Sequence, residues 1–203
     1  MMAFDIGANV GKLTAELLRD FDKVICVEAN SGLINKLRRR FEWADVTVVH
    51  AAAAEKEGGH IPFYVSNEHT LSTASVEWIT KSRFAASSRW DRPVEVPTTS
   101  LNYLMRIFGV PDFIKVDVEG FELTVFKGLS KPVPKLCFEW AEELFSSTVK
   151  CVKRLQEIGY TQFGLTHGEY QRDQLNSVEY ARWERLIFDT SLRKRYGMIW
   201  AKV

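Results

Sequence analysis

Apolar residues along this chain fall into short continuous runs, separated by stretches of helical spacing. Residues 2–5 read as a short strand that leads into a glycine-containing turn. Residues 11–20 then show helical spacing, with Leu13 and Leu17 on one face and Phe21 just beyond. Residues 24–27 are apolar without interruption, as expected of a strand buried on both faces of a parallel sheet. A helix is predicted over residues 31–41, with Leu33, Ile34, Leu37 and Phe41 as its stripe, and a strand over 46–49. Short strands follow at 61–65 and 94–96. Between them residues 68–90 are rich in Ser, Thr and aromatics and read as loop around one helix. The remainder alternates: helix 101–108, strand 113–118, helix 121–129, strand 136–138, helix 149–158, strand 160–165, helix 182–188, strand 198–203. This alternation predicts an α/β fold with a mostly parallel open sheet and helices on both faces. Such sheets bind ligands beyond the carboxyl ends of their strands.

Composition adds limits. A chain of 203 residues, 46% hydrophobic and 26% charged, is read as one globular domain over residues 1–203. Its formal net charge of +1 gives no global attraction to polyanions, so neither a nucleic-acid nor a membrane partner is expected. No apolar run is long enough to span a bilayer, and the start shows no secretory pattern. Cys26, Cys137 and Cys151 lack metal-ligand spacing, and Cys26 and Cys137 sit inside apolar runs. Core thiols in a reducing, cytoplasmic setting are expected, with no metal site.

The first chemical signal is DIGANVG at residues 5–11. Glycines at a strand-to-helix turn let the backbone approach a ligand, and the helix start offers free N–H groups. A phosphate-binding loop would need glycine at Ile6 and Ser or Thr at Leu13. A dinucleotide fingerprint starting at Gly7 would need glycine at Asn9 and Lys12. Both fail, leaving Asp-x-Gly-x-x-x-Gly. A carboxylate at Asp5 would repel a pyrophosphate but attract a cofactor bearing an ammonium and a sulfonium. Glu28 ends the second strand, where a carboxylate can accept both hydrogen bonds of a ribose diol.

The second signal is IKVDVEGFE at residues 114–122. Strand alternation would turn Lys115, Asp117 and Glu119 to one side. Three charges there are costly unless paired or at work. Lys115 is equally well read as a reacting group or as half of a buried ion pair.

Together DIGANVG, the acid of VEAN, the PTTSL stretch at residues 97–101 and IKVDVEGFE with VFKG resemble the FkbM methyltransferases over most of residues 3–140. The resemblance implies a Rossmann-like three-layer sandwich with seven strands, the last antiparallel, and a cofactor half over about residues 1–60 ahead of an acceptor half over 61–203. It also implies S-adenosylmethionine-dependent O-methylation of a small molecule or sugar. By motif position Asp5, Gly7, Ala8, Asn9 and Gly11 would line the methionine end of the cofactor and Glu28 the ribose. Ala29 and residues 50–53, with His50, Ala51 and Ala53, would approach the adenine. Asp117 and Glu119 would face the transferred methyl, with one of them as base and Lys115 in support. The chain starts almost at the first motif, so a covering N-terminal segment is expected to be absent, and a homo-oligomer that helps enclose the acceptor stays open. Three rivals remain: an RNA 2′-O-methyltransferase, which net charge disfavours; a non-catalytic S-adenosylmethionine-binding protein; and a nicotinamide oxidoreductase, disfavoured by Asp5 and the glycine spacing. Glu139 is within reach of the site by its place after the fifth strand, and residues 70–75 read equally as lid or loop.

Overall fold

A computed structural model describes residues 1–186 and 196–203. In chain order the elements are β1 (Met2–Ile6), α1 (Lys12–Leu17), β2 (Lys23–Glu28), α2 (Ser31–Arg40), β3 (Val46–His50), β4 (Ala52–Ala53), β5 (His60–Phe63), α3 (Val76–Lys81) and β6 (Val94–Thr99). They continue with α4 (Leu101–Phe108), β7 (Phe113–Val116), α5 (Glu122–Lys127), β8 (Lys135–Ala141), α6 (Phe145–Glu157), β9 (Gln162–His167), α7 (Gln174–Ser177), α8 (Trp183–Leu186) and β10 (Tyr196–Lys202).

Seven strands form one sheet in the order β3-β2-β1-β7-β8-β10-β9. β3, β2, β1, β7 and β8 pair in parallel, and β10 runs antiparallel to both β8 and β9. This is the Rossmann-like arrangement that the resemblance implies. The unbroken apolar runs are buried on both faces for the expected reason. On one face Phe4, Ile25, Ile114 and Phe138 pack against Leu104 of α4, Phe126 of α5 and Leu155 of α6. On the other, Ala3, Val24, Phe113 and Trp200 pack against Leu17 of α1 and Leu37 of α2. The sheet is therefore the middle of three layers. α2 starts cleanly because the Asn30 side chain accepts the Gly32 N–H at 3.0 Å, a cap worth about 1 kcal/mol.

Register does more than strand order. Asp5 stands opposite Cys26 on one side and Lys115 on the other, and Lys115 stands opposite Cys137. One row across four strands thus carries thiol, carboxylate, ammonium and thiol.

Several boundaries differ from expectation. α1 stops at Leu17, because residues 18–20 turn. β7 ends at Val116, not at residue 118, because the chain enters a turn in which Glu119 and Gly120 have φ of 54° and 86°. β8 is longer than residues 136–138 because β10 pairs along its full length. β4 joins β6 and β5 in a separate three-stranded sheet. Its two alanines lack the branched or aromatic side chains by which strands announce themselves. α7 spans four residues, too few for a period. Of the helix predicted over 182–188, α8 covers Trp183–Leu186, and residues 187–188 lie outside the described residues.

Candidate active site

At the carboxyl ends of β1, β2 and β7 lies a cavity of about 490 Å³, within the range of small-molecule sites. The glycine turn forms one wall. Gly7 has a φ of 81°, and a Cβ there would stand 1.9 Å from the Asp117 carbonyl oxygen. Glycine is therefore what lets the ends of β1 and β7 lie against each other. The Gly7 and Ala8 N–H groups donate to the Val27 carbonyl at 2.9 and 3.1 Å, which fixes the turn against β2.

Of the residues named from sequence, Gly7, Ala8, Asn9, Glu28, Ala29, Ala51, Ala53, Lys115, Asp117 and Glu119 line this cavity. Asp5, Gly11 and His50 do not. Gly11 has a φ of 76°, and a Cβ there would meet the Phe41 ring at 2.4 Å, so it serves the packing of α2. His50 Nε2 lies 3.2 Å from the Ala29 carbonyl oxygen, bracing the loop from behind. Asp5 is 0% exposed. Its Oδ2 accepts the Thr14 hydroxyl at 2.6 Å, and its Oδ1 lies 3.8 Å from the Lys115 ammonium. The cation that Asp5 faces is thus a residue of the chain itself.

Glu28 is almost fully buried and accepts two backbone N–H groups, Asn9 onto Oε2 at 2.7 Å and Asn30 onto Oε1 at 2.6 Å. Burial raises its pKa, while those amides oppose the rise. Each oxygen keeps a lone pair for a ligand diol. The Asn9 Oδ1 atom is buried beside it without a hydrogen-bond partner. Beyond, Ala51, Ala52, Ala53 and Phe63 offer an apolar slot. An acceptor pair, an orphaned amide oxygen and a small-residue slot fit a nucleoside with an amino-acid tail.

On the β7 side Lys115 Nζ lies 3.1 Å from Asp117 Oδ2. Burial works against the ammonium, but Asp117 and then Asp5 outweigh it and hold its pKa above the ordinary lysine value. Lys115 therefore stays charged and forms a buried ion pair with both acids. Asp117, Glu119 and Glu139 bring carboxylate oxygens within 4.8 Å of one another. Burial, reinforced by the Asp117 charge, pushes Glu119 and Glu139 well above the usual carboxylate range. One or both can hold a proton beside an ionised neighbour.

Thr70, Leu71, Ser72 and Ala74, from the stretch read equally as lid or loop, also line the cavity, whereas Trp78, Phe84, Tyr170, Tyr196 and Met198 were not singled out from sequence. Leu71, Trp78 and Phe84 come from the segment between β5 and β6, and Tyr170, Tyr196 and Met198 from the C-terminal part. The Ser, Thr and aromatic content of residues 68–90 was a usable signal; the C-terminal residues carry none.

The model of the methyltransferase FkbM domain matches residues 5–161. A probable ribosomal RNA small subunit methyltransferase A from Methanosarcina acetivorans is 29% identical over 74% of this chain and 54% of its own length. A ribosomal RNA small subunit methyltransferase A from Mycoplasma mycoides is 21% identical over 66% of this chain and 56% of its own. The chain spans about half the length of these relatives. Among solved structures, precorrin 8w decarboxylase from Methanobacterium thermoautotrophicum aligns with a TM-score of 0.52 at 13% identity, covering 100% of this chain and 81% of that one. A precorrin-6y C5,15-methyltransferase from Geobacter metallireducens gives 0.50 at 12%, covering 99% and 78%. These two likenesses establish the fold.

The ribosomal RNA relatives correct one expectation, that no nucleic acid is a partner. A net charge of +1 averages over the whole surface and says nothing of any one face. No helix among the described residues is long and apolar enough to cross a membrane. With strand order, glycine turn and family match in agreement, the chain belongs to the FkbM family of S-adenosylmethionine-dependent methyltransferase domains.

Proposed function

We propose that this chain is an O-methyltransferase that moves the methyl group of S-adenosylmethionine to a hydroxyl of a small molecule or sugar. The observation behind this reading is that acids from both sides of the β1 turn line one cavity: Glu28 at the end of β2, and Asp117, Glu119 and Glu139 from the turn after β7 and from β8. Gly7, Ala8 and Asn9 would hold the methionine end, Glu28 the ribose, and Ala29, Ala51 and Ala53 the adenine. Asp5, Gly11 and His50 would support that wall from behind. When bound, the cofactor supplies a methyl on a sulfonium, already a good leaving group.

The residues of the chain have two tasks. The first is to align the acceptor oxygen, which in ideal cases is worth up to about 7–11 kcal/mol. The second is to take its proton, typically worth about 10²–10⁴-fold in rate. Asp117 or Glu119 would take that proton, while Lys115 keeps the Asp117 carboxylate in place. Leu71, Trp78 and Phe84 would keep water away. A second reading is methyl transfer to RNA, with a ribose hydroxyl as one acceptor; the names of the ribosomal RNA methyltransferase relatives support RNA as the acceptor.

Calorimetry with S-adenosylhomocysteine on the wild type and Glu28→Ala tests the cofactor site. Micromolar binding that the substitution abolishes is expected; absence of binding to the wild type sinks the reading. Transfer of labelled methyl to a sugar panel and to ribosomal RNA then separates the two acceptors. Asp117→Asn should lower turnover by about 10²-fold or more while S-adenosylhomocysteine still binds.

A further inference from the structure

We propose that Asp5 is a positioning residue of the methyl-transfer site: gripped by Thr14, it acts through the Lys115 ammonium to set the charge and aim of Asp117. This rests on the cofactor reading above and goes beyond it, because Asp5 touches no part of the cavity.

The register supplies the starting point. Asp5 and Lys115 are direct partners across β1 and β7, so their side chains share a face of the sheet. Asp117 comes back to that face just beyond the end of β7. The result is a row of contacts: Thr14 hydroxyl to Asp5 at 2.6 Å, Asp5 to Lys115 at 3.8 Å, Lys115 to Asp117 at 3.1 Å. Lys115 has 6% of its side chain exposed and Asp5 none, whereas Asp117 has 31% and meets the cavity. Cys26 and Cys137 flank the row, and burial keeps both as neutral thiols.

Charge decides what the row does. Burial raises the Asp5 pKa, while the Lys115 ammonium and the Thr14 hydroxyl oppose the rise. With Asp5 ionised, two carboxylates and one ammonium leave one net negative charge, and Asp117 is the most exposed member of the row. Without Asp5 the ammonium would keep Asp117 as its one ion-pair partner among the described residues. It would draw that carboxylate inward and cancel it. With Asp5 the ammonium is shared, and the site presents an uncancelled negative charge where a sulfonium would lie. Thr14 matters because its hydroxyl fixes one Asp5 oxygen and leaves the other for Lys115.

The test compares S-adenosylmethionine with S-adenosylhomocysteine by calorimetry. The two share every group except the methyl and the positive charge at sulfur. In Asp5→Asn the preference for the charged ligand should fall by about tenfold relative to the wild type, with homocysteine-ligand affinity held within about threefold. Asp5→Asn/Lys115→Met removes one negative and one positive charge together. It should bring the preference back to the wild-type value, a recovery that a merely structural role of Asp5 would not produce.

If Asp5 instead contacted the amino-acid tail of the cofactor, Asp5→Asn would weaken both ligands equally and the second substitution would restore neither; that overturns the proposal. An unchanged preference in Asp5→Asn overturns it as well. Should Asp5→Asn fail to fold, Thr14→Val reads the same preference, because it removes the hydroxyl that fixes the Asp5 carboxylate. A fall in the preference supports the relay, and an unchanged one ends it. Failure of the wild type to bind either ligand would bring down the cofactor reading itself, an outcome distinct from the others.

Discussion

The Thr73 hydroxyl donates to the Glu119 carbonyl oxygen over 2.7 Å, tying the β5–β6 segment to the turn after β7. Thr73 is 0% exposed and also accepts the Ser75 N–H at 2.8 Å. From the other side the Glu122 carboxylate accepts the N–H groups of Val118 and Gly120 at 3.1 and 3.3 Å. Glu119 is held between them at a φ of 54°, a conformation that costs a non-glycine residue about 1–3 kcal/mol. The clamp spends that energy on aiming one carboxylate at Asp117 and Glu139.

Two substitutions at this clamp should move stability in opposite directions. Thr73→Val leaves a buried carbonyl and a buried N–H short of a partner and should cost about 1–3 kcal/mol. Glu119→Gly relieves both the backbone strain and the crowding of like charges. It should raise stability at pH 8 by about 1 kcal/mol, while turnover falls. Denaturant titration of both variants beside the wild type reads the signs; a Glu119→Gly protein less stable than wild type would mean that the turn is not strained.

Glu122 should leave a mark on stability against pH. Burial raises its pKa from 4.5 to about 7, against the pull of the backbone amides. A folded-state value above the unfolded one means that the native protein holds the proton more tightly. The contribution is then full below about pH 4.5 and is lost as pH rises to about 7, amounting to about 3 kcal/mol. Glu122→Gln removes this dependence, so the stability of the variant should gain on the wild type across that interval. Parallel unfolding curves with a pH-independent difference would refute the assignment.

The two glycines of the first turn should respond differently to alanine. At Gly7 the new methyl meets a backbone oxygen that belongs to Asp117, and nothing there is free to swing away. Gly7→Ala should therefore displace Asp117 and abolish S-adenosylhomocysteine binding. At Gly11 the obstacle is the edge of the Phe41 ring. Gly11→Ala should lower the melting temperature, and adding Phe41→Leu should recover part of the loss. Equal effects of the two single changes on ligand affinity would contradict this division of roles.

Much of this was legible along the chain because it depends on local pattern. The apolar runs gave the parallel strands, and the glycine spacing with Glu28 gave one end of the cavity. IKVDVEGFE brought Lys115, Asp117 and Glu119 to one neighbourhood, although a turn rather than strand pleating delivers Glu119. What stayed hidden depends on contacts between distant segments. The cation opposite Asp5 is set by the register of β1 against β7, which no local window contains. Glu139 was within reach by its place along the chain, but its closeness to Asp117 and Glu119 comes from β8 docking beside β7. Tyr196 and Met198 reach the cavity because β10 inserts where it does, and their spacing along the chain carries no trace of that.

The insertion of β10 also orders events in time. Among the described residues β9 meets the sheet through β10 alone, and β8 has β10 as its second neighbour. A nascent chain cannot seat either edge properly until Tyr196–Lys202 has been synthesised. Until then β8 displays a row of unpaired backbone groups, the kind of edge on which other chains add strands. A chain that ends before Tyr196 therefore leaves β8 as an open edge to which another strand can add.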